Sequence, residues 1–159
     1  MKISQLTGRT NYFESFEVGS VIRHARGKTL EPIESVLLCN MAMNSAAVHF
    51  DEHLCRSTPF KRRVNFGGIT VALVIGLASQ DTSENALQEI SLTGVRLKAS
   101  VYNGDTVYAY TEVLAKEDGG REDAGIVTFK HWGLNQDETL VVECERRVLL
   151  KRLSHWGDR

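Results

Sequence analysis

The chain has 159 residues, of which 42% are hydrophobic and 25% charged, a balance typical of one globular domain and not of a disordered chain. Its 19 Lys and Arg residues are matched by 20 Asp and Glu residues, so it lacks the basic excess that nucleic-acid binding requires. The three cysteines are far apart and form no CxxC pair, which predicts a reduced, cytoplasmic protein without a metal site.

The N-terminal segment and the longest uncharged stretch predict neither a secretory signal nor a membrane span. Residues 1–11 contain no apolar run and are predicted to form a loose arm. The uncharged stretch from Val64 to Gln80 is shorter than the ~20 apolar residues of a membrane span, and it contains Asn65 and three glycines. We therefore predict one domain over residues 12–153 and a C-terminal tail over 154–159.

The first half of the chain predicts one strand followed by two helices. Val21 to Leu30 is the predicted strand. Pro32 favours a helix start, because proline at the first helical position loses no needed N–H, and the helix is predicted from Ile33 to about Met43. Asp51 is the predicted N-cap of a short second helix, Glu52 to Ser57.

The second half predicts a buried helix and an antiparallel sheet. Ile69 to Ala78 is almost wholly apolar, so a helix there is expected to be buried on all sides. Turn signals at Asn103–Asp105, read as a hairpin, and at Asp118–Gly120 separate segments of alternating apolar residues. The predicted strands are 93–101, 106–115, 125–134 and 140–150.

This order of elements predicts an α+β fold in which an antiparallel sheet wraps around one long central helix. One sheet layer covers only one side of the helix and leaves open sheet edges. We therefore expect a homodimer or higher homo-oligomer in which the sheets of two copies join.

The candidate chemistry lies in two short segments. His49 follows Asn44 by five residues, in a non-helical stretch between two predicted helices. Gly67 and Gly68 open the buried helix, where unpaired N–H groups and the positive end of the helix dipole lie. Glycine lets a carbonyl approach the backbone closely, so this helix start suits the oxygen of a thioester that becomes an enolate.

Four motifs together resemble the MaoC-like dehydratases, relatives of the R-specific enoyl-CoA hydratases. They are YFESFEVG at residues 12–19, the Asn44-to-His49 spacing followed by Phe-Asp, FGGITVAL at 66–73 and NGDT at 103–106. The resemblance covers residues 12–150. It implies a hotdog fold, an oligomer, and hydration or dehydration of acyl-CoA thioesters. It implies no metal or redox cofactor, with coenzyme A present only as part of the substrate.

The resemblance assigns roles to individual residues. His49 matches the family's catalytic histidine and Gly67 its oxyanion glycine, whereas Asn44 stands where the family has an aspartate. Ala46–Ala47 replaces an Asn-Pro pair, and Phe66 replaces a common histidine. The branch resembling mesaconyl-CoA hydratases, which act on small branched dicarboxylic acyl-CoAs, shares the asparagine. An amide can orient a water but cannot accept its proton, so His49 is the predicted base.

Each candidate residue also has a purely structural interpretation. His49 suits a core or capping histidine, and the Gly67–Gly68 pair suits close packing of helix on sheet. The basic run that includes Arg62 and Arg63 suits either a solvated loop or contacts to the phosphates of coenzyme A or to a substrate carboxylate. His24 is predicted to be a surface residue.

Two other functions compete with hydration. A thioesterase on the same fold typically places an acidic residue on the central helix or opposite it, and residues 67–80 contain none. A non-catalytic acyl-CoA-binding subunit is suggested by the missing aspartate at Asn44.

Overall fold

A six-stranded β-sheet packs against one long helix in the computed structural model of the protein, which describes residues 1–3 and 11–157. The spatial order is β1-β2-β4-β5-β6-β3, and every pair except the short parallel β1–β2 pair is antiparallel. The strands are β1 (Lys2–Ile3), β2 (Val21–Thr29), β3 (Ala86–Leu97), β4 (Thr106–Arg121), β5 (Ala124–Leu134) and β6 (Leu140–Lys151). Most of the predicted N-terminal arm and the end of the predicted tail lie outside the described residues.

The described residues form four α-helices, and the predicted start signals account for two of them. They are α1 (Pro32–Met41), α2 (Glu52–Cys55), α3 (Gly67–Thr82) and α4 (Leu153–Trp156). Pro32 is the first residue of α1, and the Asp51 side chain accepts a hydrogen bond from the Leu54 N–H at the start of α2. The central helix α3 is longer than the apolar segment that predicts it, because it continues through Asp81.

The core lies between α3 and the middle strands of the sheet. Val74 and Ala78 of α3 are fully buried, and they face a layer of small β-branched residues that pack well on a pleated surface. The buried residues of this cluster are Leu30, Cys39, Ile69, Val74, Val101, Val107, Ala109, Val141 and Val142. The antiparallel sheet and the packed central helix of the predicted α+β fold are confirmed.

Two turn motifs do not form the connections that the sequence predicts, which are a hairpin at Asn103–Asp105 and the start of a loop at Asp118–Gly120. Strand β3 pairs with β6 and not with β4, so Asn103–Asp105 is not a hairpin turn. This turn instead connects the start of β4 to the end of β2, because the Gly104 N–H donates a hydrogen bond to the Leu30 carbonyl. Asp118–Gly120 does not begin a loop, since β4 continues to Arg121. A turn motif fixes a local bend but not the partner of the following strand.

The prediction that His24 lies on the surface is wrong. Its side chain is buried, and its Nδ1 lies 2.6 Å from the Asp81 carboxylate at the end of α3. Its Nε2 lies 2.6 Å from the Thr111 hydroxyl, which lies 2.7 Å from Nδ1 of the equally buried His131. These four side chains form a polar row through the core, and burial of His24 is possible because both ring nitrogens have partners.

One side of the described chain leaves apolar surface open. The prediction that α3 is buried on every side is wrong for a single chain, because a stripe of Gly68, Ala72, Gly76 and Gln80 is exposed. Helix α1 likewise exposes Ile33, Leu37 and Met41. An apolar groove of about 1000 Å³ runs between α1, α3 and β2.

Within the described residues, no helix is both long enough and apolar enough for a bilayer span.

Candidate active site

His49 ends a 3₁₀ turn, Ala47–His49, between α1 and α2, and its side chain is buried. Its Nδ1 lies 2.8 Å from the main-chain carbonyl oxygen of Val64. Because a carbonyl only accepts, Nδ1 carries the proton in the neutral ring and Nε2 carries the lone pair. Among the described residues, no protein group bonds to Nε2, so His49 is positioned to accept a proton from a ligand or a water.

Gly67 and Gly68 begin α3 with free backbone donors. The N–H groups of Ile69 and Thr70 both donate to the carbonyl of Phe66, the residue before the helix. Among the described residues, no backbone carbonyl accepts from Gly67 or Gly68. No acidic side chain lies in the first turn, so the positive end of the helix dipole is uncompensated there.

A cavity of about 330 Å³ brings His49 and Gly67 together. Its wall combines the loop after α1, the start of α3 and the segment that follows β3. The lining residues are Val48, His49, Phe60, Val64, Asn65, Gly67, Thr70, Leu97, Lys98, Ala99, Ser100 and Val101. The cavity therefore pairs an imidazole acceptor with a helix N-terminus, which is an arrangement suited to general-base chemistry beside a developing oxyanion.

Asn65 connects the separate segments that form this cavity through three hydrogen bonds. Its N–H donates to the Val101 carbonyl at 2.8 Å, and its side-chain amide donates to the Thr70 hydroxyl at 3.1 Å. Its side-chain oxygen accepts from the hydroxyl of Ser35 on α1 at 3.0 Å. The sequence singles out neither this role nor the carbonyl of Val64. The one available signal in the sequence is an asparagine directly before the Phe-Gly-Gly start of the predicted helix.

Asn44 does not line the cavity that contains His49. Its side-chain oxygen accepts a 3.1 Å hydrogen bond from the Ala46 N–H, which closes a local turn. It lines a separate open pocket of about 700 Å³ together with Met43, Phe50 and Asp51. In this single chain, the structure therefore does not bring the predicted Asn44–His49 pair into one cavity.

The two predicted coenzyme A contacts, Arg62 and Arg63, lie outside the wall of the His49 cavity. The guanidinium of Arg62 stacks over the ring of Tyr102 at 4.0 Å. Arg63 bonds to the Glu52 carboxylate at 3.2 Å. Arg62 therefore keeps an exposed cation available for an anion, whereas Arg63 is already neutralised by an ion pair.

Burial disfavours the reactive thiolate form of two cysteines near the site. Cys39 and Cys55 are both buried, and burial raises the pKa of each thiol above its ordinary value. A thiol with a raised pKa carries little of the reactive thiolate at neutral pH.

Asp81 is an acidic residue on the central helix, the feature that favours a thioesterase. It lies 14 residues after Gly67, which is about 21 Å along a helix that rises ~1.5 Å per residue. Its carboxylate is bonded to His24. The acid is therefore at the far end of α3 from the cavity.

The fold and the site define a hotdog-fold, MaoC-like protein. A putative MaoC domain dehydratase from Chloroflexus aurantiacus superposes with a TM-score of 0.83 at 28% identity, over 91% of this chain and 46% of that one. A Mycobacterium tuberculosis protein described as a double hotdog fold superposes with a TM-score of 0.82 at 22% identity, over 92% of this chain and 46% of the other.

The chain belongs to the mesaconyl-CoA hydratase family, whose model matches residues 5–152. A β-methylmalyl-CoA dehydratase from Chloroflexus aurantiacus is 36% identical over 123 residues, which are 76% of this chain and 35% of that relative. The chain thus spans about a third of that relative and just under half of the two solved structures.

Proposed function

We propose that the protein adds water to, or removes water from, the double bond of a 2-enoyl-CoA thioester. The observation that carries this proposal is the shared cavity of His49 and Gly67, in which the His49 tautomer is fixed by the Val64 carbonyl. The names of the family and of its relative, a hydratase and a dehydratase of CoA thioesters, support the same reaction class.

In the hydration direction, Nε2 of His49 takes a proton from a water, and the water oxygen bonds to C3 of the acyl group. The electron pair of the double bond moves toward the thioester, whose oxygen becomes an enolate oxygen facing the Gly67 N–H. The His49 imidazolium then returns its proton to C2, so that one water has been added overall. These steps use acid–base and oxyanion chemistry of the chain itself and call for no metal or redox cofactor.

The volume of the cavity favours a small acyl group. About 330 Å³ is at the lower end of small-molecule pockets, which range over ~300–1000 Å³. A four- or five-carbon acyl group such as mesaconyl suits this space, while the coenzyme A portion extends outside it. Arg62 remains the predicted contact for its phosphates.

The three cysteines are free, which suits a protein of the reducing cytoplasm.

Incubation with crotonyl-CoA and with mesaconyl-CoA tests the proposal. We expect loss of the absorbance of the conjugated thioester without release of free thiol. Release of thiol identifies a thioesterase, and binding without either change identifies a non-catalytic acyl-CoA-binding protein.

Substitution of Gly67 is expected to remove most turnover. A Cβ at this position overlaps the end of the Leu97 side chain, which also lines the cavity, so the Leu97 side chain has to shift. The added side chain also crowds the Gly67 N–H, where the thioester oxygen is proposed to bind. Gly67→Val is expected to lower kcat by roughly a hundredfold or more, the usual cost of a lost oxyanion contact. Circular dichroism checks the fold, and a folded variant with wild-type kcat contradicts the assignment.

We further propose that the protein is a homodimer or higher homo-oligomer in which a second copy of the chain pairs with an open edge of the sheet. Strand β3 is a sheet edge that exposes Leu92 and Val95, and such an edge pairs with another chain unless it is protected. The neighbour with a double hotdog fold has about twice the length of this chain, which supports two such units side by side.

Sedimentation at micromolar concentration is expected to give a dimer or higher homo-oligomer. Leu92→Lys places a charge on the β3 edge and is expected to shift the protein toward monomer. A wild-type monomer at that concentration contradicts the proposal.

A further inference from the structure

Thr70 is a buried residue in the wall of the His49 cavity whose hydroxyl proton has no acceptor in the described part of the chain. The residue lies one helical turn after Gly67 on α3, and only 3% of it is exposed. Its Oγ accepts a 3.1 Å hydrogen bond from the side-chain amide of Asn65. A hydroxyl has one donor and two acceptor lone pairs, so this bond leaves the O–H of Thr70 free to donate.

The orientation of the Asn65 amide establishes that Asn65 donates to Thr70. Its Nδ2 also lies 3.4 Å from the main-chain carbonyl oxygen of Phe66, which can only accept, so the NH₂ group of the side chain faces α3. On its other side, the Asn65 oxygen accepts from the Ser35 hydroxyl at 3.0 Å. The hydrogen bonds therefore run from Ser35 to Asn65 to Thr70, and the Thr70 O–H is the donor left at the end.

Other hydroxyls of the same helix use their protons inside the helix. Ser79 and Thr82 each donate to the main-chain carbonyl four residues earlier, at 2.8 and 2.7 Å. Within the described residues, Thr70 makes no such bond to the carbonyl of Phe66. Buried polar groups are nearly always paired, so the O–H of Thr70 needs an acceptor that occupies the cavity.

Helix geometry places this donor beside the Gly67 N–H. Residues three apart on an α-helix are neighbours on one face, and helical side chains point toward the N-terminus. Thr70 therefore leans toward Gly67, and both residues line the cavity that contains His49. The His49 ring is also near the helix start, because its centroid lies 5.7 Å from that of the Phe66 ring. An oxygen bound at this helix start can thus reach an N–H and an O–H together.

We propose that the Thr70 hydroxyl is a second donor to the thioester oxygen, beside the Gly67 N–H. The inference rests on the proposed function and adds a catalytic residue to it. Because the thioester oxygen gains negative charge as the enolate forms, both hydrogen bonds are stronger in the transition state than with bound substrate. The bond that Thr70 accepts from Asn65 polarises its own O–H and makes it a better donor.

Thr70→Val tests the proposal, because valine has nearly the shape of threonine and lacks the hydroxyl. We expect kcat for hydration of crotonyl-CoA to fall about 10- to 100-fold, the usual effect of losing a hydrogen bond to a charged group. KM is expected to stay near the wild-type value, since the bond acts mainly in the transition state. Thr70→Ser keeps the donor and is expected to recover most of the turnover. A folded Thr70→Val protein with wild-type kcat overturns the inference.

Ser79→Ala is the matched control, because it removes another hydroxyl from α3 that does not line the cavity, and it is expected to keep the wild-type kcat. A double mutant separates donation to substrate from a positioning role. If Thr70 acts only by accepting from Asn65, Thr70→Val has no further effect in the Asn65→Ala background, and the inference is wrong. A further fall in kcat of about tenfold in that background supports donation to the substrate.

The infrared carbonyl band of bound butyryl-CoA, isotope-labelled at the thioester carbonyl, gives a measurement that needs no turnover. The saturated acyl group cannot be hydrated, and a hydrogen bond to a carbonyl oxygen lowers its stretching frequency. We expect a lowered frequency for the wild type and Thr70→Ser, and loss of part of this shift for Thr70→Val. Equal bands for the wild type and Thr70→Val, or an unshifted band for the wild type, contradict the inference.

The two measurements distinguish failure of the inference from failure of the proposed function. If the wild type hydrates neither crotonyl-CoA nor mesaconyl-CoA, the proposed function fails. The infrared band of bound butyryl-CoA then decides alone whether Thr70 donates to a thioester oxygen. If hydration occurs and Thr70→Val changes neither kcat nor the band, the proposed function stands and the inference about Thr70 is wrong.

Discussion

His49→Ala is expected to lower kcat/KM for hydration by about 10²- to 10⁴-fold, the usual contribution of a positioned general base. The structure gives the reason, since the Val64 carbonyl fixes the proton on Nδ1 and leaves Nε2 as the acceptor in the cavity. The loss of absorbance of crotonyl-CoA or mesaconyl-CoA measures the rate. Circular dichroism shows whether the variant is folded, and a folded variant with the wild-type rate overturns the site assignment.

Asn44→Ala is the matched comparison for His49→Ala. If the Asn44 amide holds the attacking water, its removal lowers the rate less than removal of His49, because orientation is lost and the base is kept. The Asn44 side chain closes a local turn and lines a different pocket, so in the single chain we expect the smaller of the two effects. An Asn44→Ala variant as inactive as His49→Ala contradicts this ranking.

Acid is expected to destabilise the protein through His131. Its ring is fully buried, and burial, aided by the nearby Arg146, lowers its pKa from 6.5 to about 3. The unfolded chain therefore binds a proton below pH 6.5 that the folded chain does not bind. Stability falls by about 1.4 kcal/mol per pH unit from pH 6.5 toward pH 3, which amounts to roughly 4–5 kcal/mol over the full range. Urea unfolding at pH values between 7.5 and 4 measures the slope.

His131→Gln removes this proton site while retaining an amide that can bond to Thr111, so its slope is expected to be shallower by about one proton. His53→Gln, at an exposed position on α2, is the control and is expected to keep the wild-type slope. Equal slopes for the wild type and His131→Gln contradict the prediction.

The elements of the fold were predictable because their signals are local. Pro32 and Asp51 act within one helical turn, and the apolar run Ile69–Ala78 extends over about three turns of a single helix. Alternation of apolar residues identifies β4, β5 and β6. The position of β3 was not predictable in this way. Its partner β6 begins more than 40 residues later, and its nearest turn motif, Asn103–Asp105, bonds instead to Leu30.

Residue types that are unusual in their context allowed candidate site residues to be predicted, whereas contacts between distant segments could not be predicted. His49 and Gly67 stand out in the sequence, and the structure places both at one cavity. The partners of His24 lie 57 and 87 residues away, so its strand gives no sign that it is buried. Asn65 similarly acquires its importance from Ser35, 30 residues earlier, which only the folded chain brings near.

The hydrogen bond from His49 to Val64 bears on how the site tolerates mutation. Many catalytic histidines are oriented by an acidic side chain, which a single substitution can delete. Here the acceptor is a main-chain carbonyl, and every amino acid at position 64 supplies one. The identity of residue 64 is therefore free to vary with the demands of packing. The orientation of the imidazole depends instead on the path of the backbone, which the Val64 N–H fixes through its bond to the Val48 carbonyl.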